Sequence, residues 1–598
     1  MKNVKINRRK FLATGIGFTL GGCTSNSFKP DSRQPAMSPL EFLRSQKLSN
    51  DIGELRDDKR PYEAVVVGSG YGASVIAARL APHFKDLCVI ERGREFLPGD
   101  FPTTMMGLMG AVRSMVNPLG LIDISSGTDV DIVCGNGLGG TSLINAAIAI
   151  KPEKNVFFAD VWPREIQEAA KNGTLDKYYD VAESVLKPKV IIRDGETPKS
   201  DNHRMITQQM KRKWGALSLN IRPPNFSPRL NEYGYPQGPC LQCGDCCGGC
   251  NFGAKNTLQS NYLAMAKNNG AKIFTTLDVA SIRKVKDGYL VHATYLGGSR
   301  LSFHTIKARH VFVGAGSKGS THILFRSQGD SMQFSKTLGS RLSANGDVMG
   351  MAYNTRYKNN ILGMAWNPER LSNLNRPGPI IASYADYRNP SLEGDVNSQF
   401  LLLDGVIPSA LRSITAKGIA KYILNKEKYD FSDDQKKRIE LDLNSNDTAD
   451  MNSGAMNHSM LYFACGHDSS GGKYVYNKYL KTMNYKWPQV VHEPTFLRIN
   501  SVMHGFAETM GGVFIPNPRT HVFGHNIQAT HPLGGCPMGN NVDEGVVDHL
   551  GRVFNAKGGL HENLYVVDAA TIPHSLAATP LLTITALAER IADKVRGS

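Results

Sequence analysis

The stretch Ala64-Val65-Val66-Val67-Gly68-Ser69-Gly70-Tyr71-Gly72-Ala73 decides the fold. Its apolar run is too short for a helix and rich in Val, so it reads as a buried strand that breaks at Gly68. The residues that follow, Ala73 to Leu80, are Ala-rich and free of Gly and Pro, as a helix start requires. Gly68 permits the tight turn, Gly70 lets a pyrophosphate approach the backbone, and Ala73 is small where helix packs on strand. The helix N-terminus offers free N–H groups and a positive dipole to phosphates. A second strand, Leu87-Cys88-Val89-Ile90, ends in Glu91, where a carboxylate accepts hydrogen bonds from ribose hydroxyls. A Gly-rich turn alone is weak evidence. With a strand before it, a helix after it and the acid at the next strand end, it predicts a dinucleotide site in a Rossmann-like α/β domain.

The chain has 598 residues, enough for at least two domains, and its 41% apolar content is ordinary for a globular protein. No run approaches the uninterrupted apolar length of a spanning helix. The formal charge of +16 is dispersed, without a basic block interleaved with aromatics. That pattern argues against a nucleic-acid role and reads as solubility or affinity for anionic surfaces.

Residues 1–23 read as a targeting segment. Lys2, Lys5, Arg8, Arg9 and Lys10 precede a short, Gly- and Thr-diluted apolar stretch from Phe11 to Gly22. Asn7-Arg8-Arg9-Lys10-Phe11-Leu12 matches a twin-arginine export signal, a route that carries folded proteins. Leu20-Gly21-Gly22-Cys23 resembles a lipoprotein cleavage box, which would anchor Cys23 to a membrane face. The alternative is an ordinary small-residue cleavage site that includes a Cys. The expected location is therefore periplasmic or membrane-anchored, with residues 24–59 as a tether.

The C-terminal region carries His531-Pro532-Leu533-Gly534-Gly535-Cys536, Val546-Val547-Asp548, Gly551-Arg552-Val553, Leu564-Tyr565-Val566-Val567-Asp568-Ala569-Ala570 and Thr579-Pro580-Leu581-Leu582. With Gly135-Asn136-Gly137-Leu138-Gly139-Gly140-Thr141-Ser142, this order resembles the glucose–methanol–choline (GMC) flavoprotein oxidoreductases, in particular their cholesterol-oxidase-like branch. The resemblance runs from about Tyr62 to Arg596 and is loosest between Ser340 and Ile515. It implies FAD, an FAD domain assembled from non-adjacent segments, and an α+β substrate domain whose sheet roofs the flavin. The expected division is FAD-domain parts at 60–150, 239–335 and 516–598. Substrate-domain parts fall at 151–238, with lid-like segments, and at 336–515. Short strands are expected at Lys272–Thr276, Tyr289–Tyr295, Leu301–Ala308 and His310–Val313, and a solvated helix and loop over Asp430–Asp450.

The resemblance also implies site residues. Oxidising an alcohol requires a base for the hydroxyl proton while the flavin takes the hydride from carbon. His531 matches the active-site histidine, and Thr579 stands where family members carry His or Asn to orient the substrate oxygen. A Thr hydroxyl can hydrogen-bond but cannot serve as a base at neutral pH. Flavin contacts carry over to Gly68, Gly70, Tyr71, Gly72, Glu91, Thr141, Asn145, Ile148, Val279, Asp568, Ala569, Pro580 and Leu581. Amides after Pro580 would face the pyrimidine side of the ring. For a carboxylate serving sterol isomerisation, Asp404 and Glu393 are the only suggestions.

Cys240, Cys243, Cys246 and Cys250 have C-x2-C-x2-C-x3-C spacing, that of ferredoxin cluster ligation, although Asn251 replaces the usual Pro. An iron–sulfur cluster there would pass electrons to a quinone or cytochrome. Zinc, disulfides and structural thiols are the other readings. Cys88, Cys134, Cys465 and Cys536 are expected to be packing residues. The resulting expectation is an FAD-dependent oxidoreductase of a bulky apolar alcohol such as a sterol. The alternative is a dehydrogenase of a polyol or long-chain alcohol serving a membrane carrier.

Overall fold

The computed structural model describes residues 37–597 apart from 194, 365–375, 426–428, 445–452 and 518–525. The export motif, Cys23 and residues 24–36 of the expected tether lie outside the described residues. No helix among the described residues is long and apolar enough to cross a membrane.

The Tyr62–Val67 strand sits in the middle of an eight-stranded sheet. It runs parallel to Leu87–Ile90 on one side and to Ser302–Val313 on the other. Lys272–Phe274 extends the first side, and Leu560–Val566 the second. Residues buried on both faces, such as Val65, Val66, Val89 and Val311, explain the continuous apolar runs in place of alternation. Helices Tyr71–Leu80, Tyr262–Asn268 and Leu581–Arg596 pack together beside this sheet. The buried Glu589 joins all three: it accepts from Arg79 at 2.8 Å and from the Tyr262 hydroxyl at 2.7 Å.

Ser302–Val313 is one twelve-residue strand rather than the two expected. Its first half pairs antiparallel with Gly288–Tyr295, and its second half runs parallel inside the central sheet. The polar residues between the two apolar runs are simply where the strand changes partners. Leu277–Val285, which the sequence did not reveal as a strand, pairs with Gly288–Tyr295.

A second, six-stranded antiparallel sheet is built from Lys213–Ala216, Val348–Tyr353, Ser383–Asp386, Phe400–Gly405, Met460–Gly466 and Val513–Pro516. Its alternation is clean. Phe400, Leu402, Tyr462 and Ala464 pack with Ile499, Met503 and Phe506 of helix Pro494–Thr509. Leu401, Leu403 and Cys465 turn the other way, toward Ile148 and Ile381. A separate three-stranded sheet is formed by Ile122–Ser126, Val130–Gly135 and Ile527–Ala529.

Two expectations are corrected. Residues 38–59 are not a tether: Leu43 and Leu48 are buried, and the Glu95 carboxylate accepts from the backbone N–H groups of Leu48 and Ser49 at 2.7 and 3.0 Å. The charged segment after Asp430 forms helix Asp433–Asn444, which is not wholly solvated, because Ile439 and Asp442 are buried.

Candidate active site

Gly68 turns the chain with φ of +94° after the central strand, and a Cβ there would overlap the Gly314 carbonyl oxygen. Gly72 lies so close to the Val567–Asp568 backbone that any side chain would overlap the Val567 oxygen. A Cβ on Gly70, by contrast, would enter open space. Gly70 also caps helix Tyr71–Leu80 without a side-chain hydrogen bond, which leaves the first-turn N–H groups available to an anion.

These residues open onto a cavity of about 1140 Å³. All fifteen catalytic and flavin-contact residues expected from the sequence line it, from Gly68, Gly70, Tyr71, Gly72 and Glu91 through Thr141, Asn145, Ile148 and Val279 to His531, Asp568, Ala569, Thr579, Pro580 and Leu581. The buried Glu91 accepts from Ser69 Oγ at 2.5 Å and from the Gly93 N–H at 2.8 Å. Burial raises its pKa against those two hydrogen bonds. Asp568 is held by Ser320 Oγ at 2.5 Å, Gly316 N–H at 2.8 Å and Ala570 N–H at 2.8 Å, and burial likewise raises its pKa. Asn145 Nδ2 donates to the Tyr71 hydroxyl at 2.8 Å.

His531 has a partner that no motif announced. Its Nδ1 lies 2.8 Å from Asp347 Oδ1. Asp347 Oδ2 accepts from the Thr530 N–H, the Thr530 hydroxyl and the His531 N–H at 2.8, 2.6 and 2.9 Å. Burial alone would lower the histidine pKa, but the Asp347 carboxylate outweighs it and holds the pKa well above the ordinary value. With Nδ1 engaged, Nε2 is the nitrogen left for a substrate proton. Cys465 Sγ stands 3.9 Å from both His531 Nδ1 and Asp347 Oδ1, so it is a neighbour of the site rather than remote packing.

Asp347 is presented by a turn with two anchors. Asp468 accepts from Ser343 Oγ, Ala344 N–H and Gly346 N–H at 2.8, 2.9 and 2.9 Å. Asn345 donates to the Ala578 carbonyl and accepts from the Leu576 N–H, both at 2.8 Å. The turn therefore fixes His531 and the segment entering Thr579 together. Thr579 itself donates to the Ile148 carbonyl at 2.9 Å. Its hydroxyl proton is committed to the protein, which leaves only an acceptor lone pair for substrate.

Arg326 was also missed. It lines the cavity near Val279, donates to the Val279 carbonyl at 3.0 Å, and its buried Nε has no hydrogen-bond partner. A cationic side chain with an unmet donor, an uncapped helix N-terminus and the open approach at Gly70 together fit the phosphates of a dinucleotide. The residues present therefore fit FAD.

The cysteine expectation is corrected. Cys240, Cys243, Cys246 and Cys250 do not line the cavity, and all nine described cysteines are free thiols. Cys240 is buried in an apolar cluster with Ile148, Ile381 and Leu401, and Cys246, Cys247 and Cys250 pack against it. Burial raises the thiol pKa of Cys240, Cys243 and Cys246. Among the described residues, the closely set group of metal-type ligand atoms is Asp347, Cys465 and His531 and does not include these cysteines. Nothing here supports an iron–sulfur cluster, and the thiols read as packing. Asp404 and Glu393 are likewise outside the cavity. Asp404 is buried against Lys199 at 2.8 Å, and Glu393 pairs with Arg212 at 2.7 Å.

A dinucleotide cradle and a carboxylate-paired histidine share a cavity lined by the antiparallel sheet, an arrangement that fits an FAD-dependent oxidoreductase acting on CH–OH groups. Comparison with known proteins agrees: the GMC oxidoreductase N-terminal domain matches residues 62–344 and the C-terminal domain residues 511–588. The chain belongs to the GMC oxidoreductases, a family that binds FAD and acts on alcohols. It is 26% identical over 570 residues to a cholesterol oxidase of Acinetobacter baumannii, covering 88% of this chain and 93% of that one. A cholesterol oxidase of Mycobacterium tuberculosis is 27% identical, covering 90% and 91%. A long-chain-alcohol oxidase of Arabidopsis thaliana is 22% identical, covering 97% and 75%. A fungal aryl-alcohol oxidase shares the fold with a TM-score of 0.56 at 15% identity, over 90% of this chain and 99% of that one. A formate oxidase of Aspergillus oryzae does so with a TM-score of 0.57 at 14% identity, over 91% and 99%.

Proposed function

We propose that this chain oxidises the CH–OH group of a bulky, apolar alcohol such as a sterol, with His531 as the base. The observation that carries this reading is the contrast within one cavity. The His531 imidazole, polarised by Asp347, shares the cavity with Met349, Met351, Ile381, Leu403, Leu461 and Phe463. Such a lining gains by covering hydrocarbon and offers few groups to a sugar or polyol. The similarity to two cholesterol oxidases supports the same class.

Bound FAD would supply the two-electron acceptor, held by the Gly68–Gly72 turn, Glu91, Arg326 and the start of helix Leu581–Arg596. The protein's part is to hold the carbinol and take its proton. Asp347 fixes the imidazole with Nδ1 toward itself, and Nε2 in its neutral form accepts the hydroxyl proton. The pair then carries the new charge as imidazolium beside carboxylate. Thr579 contributes shape and one acceptor lone pair.

The deciding experiment is the visible spectrum of the FAD-loaded protein on anaerobic addition of cholesterol, and separately of a long-chain primary alcohol. Bleaching by cholesterol supports the sterol reading. Bleaching only by the linear alcohol moves the substrate to the class of the Arabidopsis relative. Peroxide released under air would make it an oxidase. Reduction without peroxide would favour a quinone or cytochrome acceptor. The N-terminal motifs support export by the twin-arginine route and lipid attachment at Cys23, which mass spectrometry of the mature protein tests.

A further inference from the structure

Asp347, Cys465 and His531 come from three segments that the fold locks together. Strands Val348–Tyr353 and Met460–Gly466 pair antiparallel with Val348 opposite Ala464, and the Gly466 N–H donates to the Asn345 carbonyl at 3.0 Å. That pairing makes Asp347 and Cys465 neighbours. Ser343 and Leu533 exchange backbone hydrogen bonds at 3.0 and 3.2 Å, which fixes the His531 segment against the same turn. Three unlike ligand atoms meet there: a carboxylate oxygen, an imidazole nitrogen and a sulfur.

Their separations suit a metal ion. Nδ1 and Oδ1 are 2.8 Å apart, and Sγ stands 3.9 Å from each. Tetrahedral zinc keeps neighbouring nitrogen, oxygen and sulfur ligands about 3.3 to 3.6 Å apart, so side-chain shifts of about half an ångström suffice. Asp347 Oδ2 already accepts three hydrogen bonds, which leaves Oδ1 to ligate and holds the carboxylate as outer-shell partners do. The charge balances as well. Asp347 and Cys465 are both buried, and a dication joined to one carboxylate and one thiolate is neutral overall.

We propose that Asp347 Oδ1, His531 Nδ1 and Cys465 Sγ form a binding site for a divalent cation of the zinc class. Sulfur and imidazole select zinc or cobalt over magnesium or calcium. Starting from the neutral imidazole, binding sends the Cys465 thiol proton to solvent and moves the ring proton from Nδ1 to Nε2. The metallated ring has no lone pair left for an alcohol proton, so the bound cation is an off-switch. This last step rests on His531 being the base, as proposed above, whereas the site itself does not.

The test uses the full chain loaded with FAD, freed of metals with a chelator and titrated anaerobically with cobalt(II). A thiolate-to-cobalt charge-transfer band and ligand-field bands to the red of the flavin are expected. Flavin reduction by the alcohol should slow at least roughly a hundredfold and recover with chelator, and zinc should inhibit equally. Cys465→Ala should weaken cobalt binding at least roughly a hundredfold and abolish the charge-transfer band. Cys465→Ser, which also lacks the sulfur, gives the same spectroscopic answer if the alanine variant does not fold. No cobalt bound, or bands without thiolate character, would overturn the proposal. So would unchanged binding by the Cys465 variants, which would assign the metal to the cysteines at 240–250. Cobalt bound through Cys465 with flavin reduction unimpaired would instead count against His531 as the base and leave the metal site standing.

Discussion

A histidine hydrogen-bonded through Nδ1 to a buried carboxylate is a stronger base than a free imidazole, and it loses its proton at higher pH. In the proposed reaction only neutral His531 can accept the alcohol proton. Substrate reduction of the flavin should therefore rise with pH, and its acidic limb should centre above the ordinary histidine pKa of about 6.5. A stopped-flow pH profile checks the sign. Asp347→Asn should cost more than charge. Oδ2 meets three donors, so the amide would turn its oxygen there and its NH2 toward His531 Nδ1. The neutral ring would then carry its proton on Nε2 and could not accept another, for a loss of about 10³- to 10⁴-fold with folding retained. Thr579→Val makes the opposite case. It should change turnover by only a few-fold while costing about 1 kcal/mol of stability, because its hydroxyl serves the Ile148 carbonyl. His531 was legible because its motif is local in the chain. Asp347 was not, since it lies 184 residues away from the histidine it orients and sits in no recognisable pattern.

At the scale of an element, two glycines of one turn separate folding from cofactor retention. Gly72→Ala would drive a methyl group into the Val567 carbonyl where helix meets strand, so a large fall in melting temperature and poor recovery are expected. Gly70→Ala has open space for its methyl group. That variant should melt normally as apoprotein yet retain FAD at least roughly tenfold less well, read by flavin fluorescence after gel filtration. The turn before Asp347 is a comparable unit. Asp468→Ala would leave the Ala344 and Gly346 N–H groups without an acceptor, and thermal unfolding should show a loss of about 3 kcal/mol or more. The strand–turn–helix at Val67–Tyr71 could be read because its periodicity and its glycines are contiguous. The long Ser302–Val313 strand could not, because its polar middle belongs to a change of partner that only the assembled sheet defines.

For the whole molecule, composition limited what the chain could be, and the two terminal motif blocks were enough to predict a discontinuous α/β cofactor domain. The region least like a motif, 336–515, supplies most of the antiparallel roof. Its strands alternate as physics requires, but an alternating strand carries no record of the alcohol it will cover. Cys465 shows the limit. In the sequence it is one of four scattered thiols, and in space it abuts His531.

The central sheet draws its parallel strands from residues near 62, 87, 272, 311 and 564, and helix Leu581–Arg596 closes over helix Tyr71–Leu80. During synthesis the cradle thus stays unfinished until helix Leu581–Arg596 has left the ribosome. A chain stopped short of the Leu560–Val566 strand lacks one wall of the sheet, Asp568 and the Pro580 turn together. Yellow colour in the purified protein is therefore a quality mark, since a nascent or clipped chain has nowhere to keep its pigment.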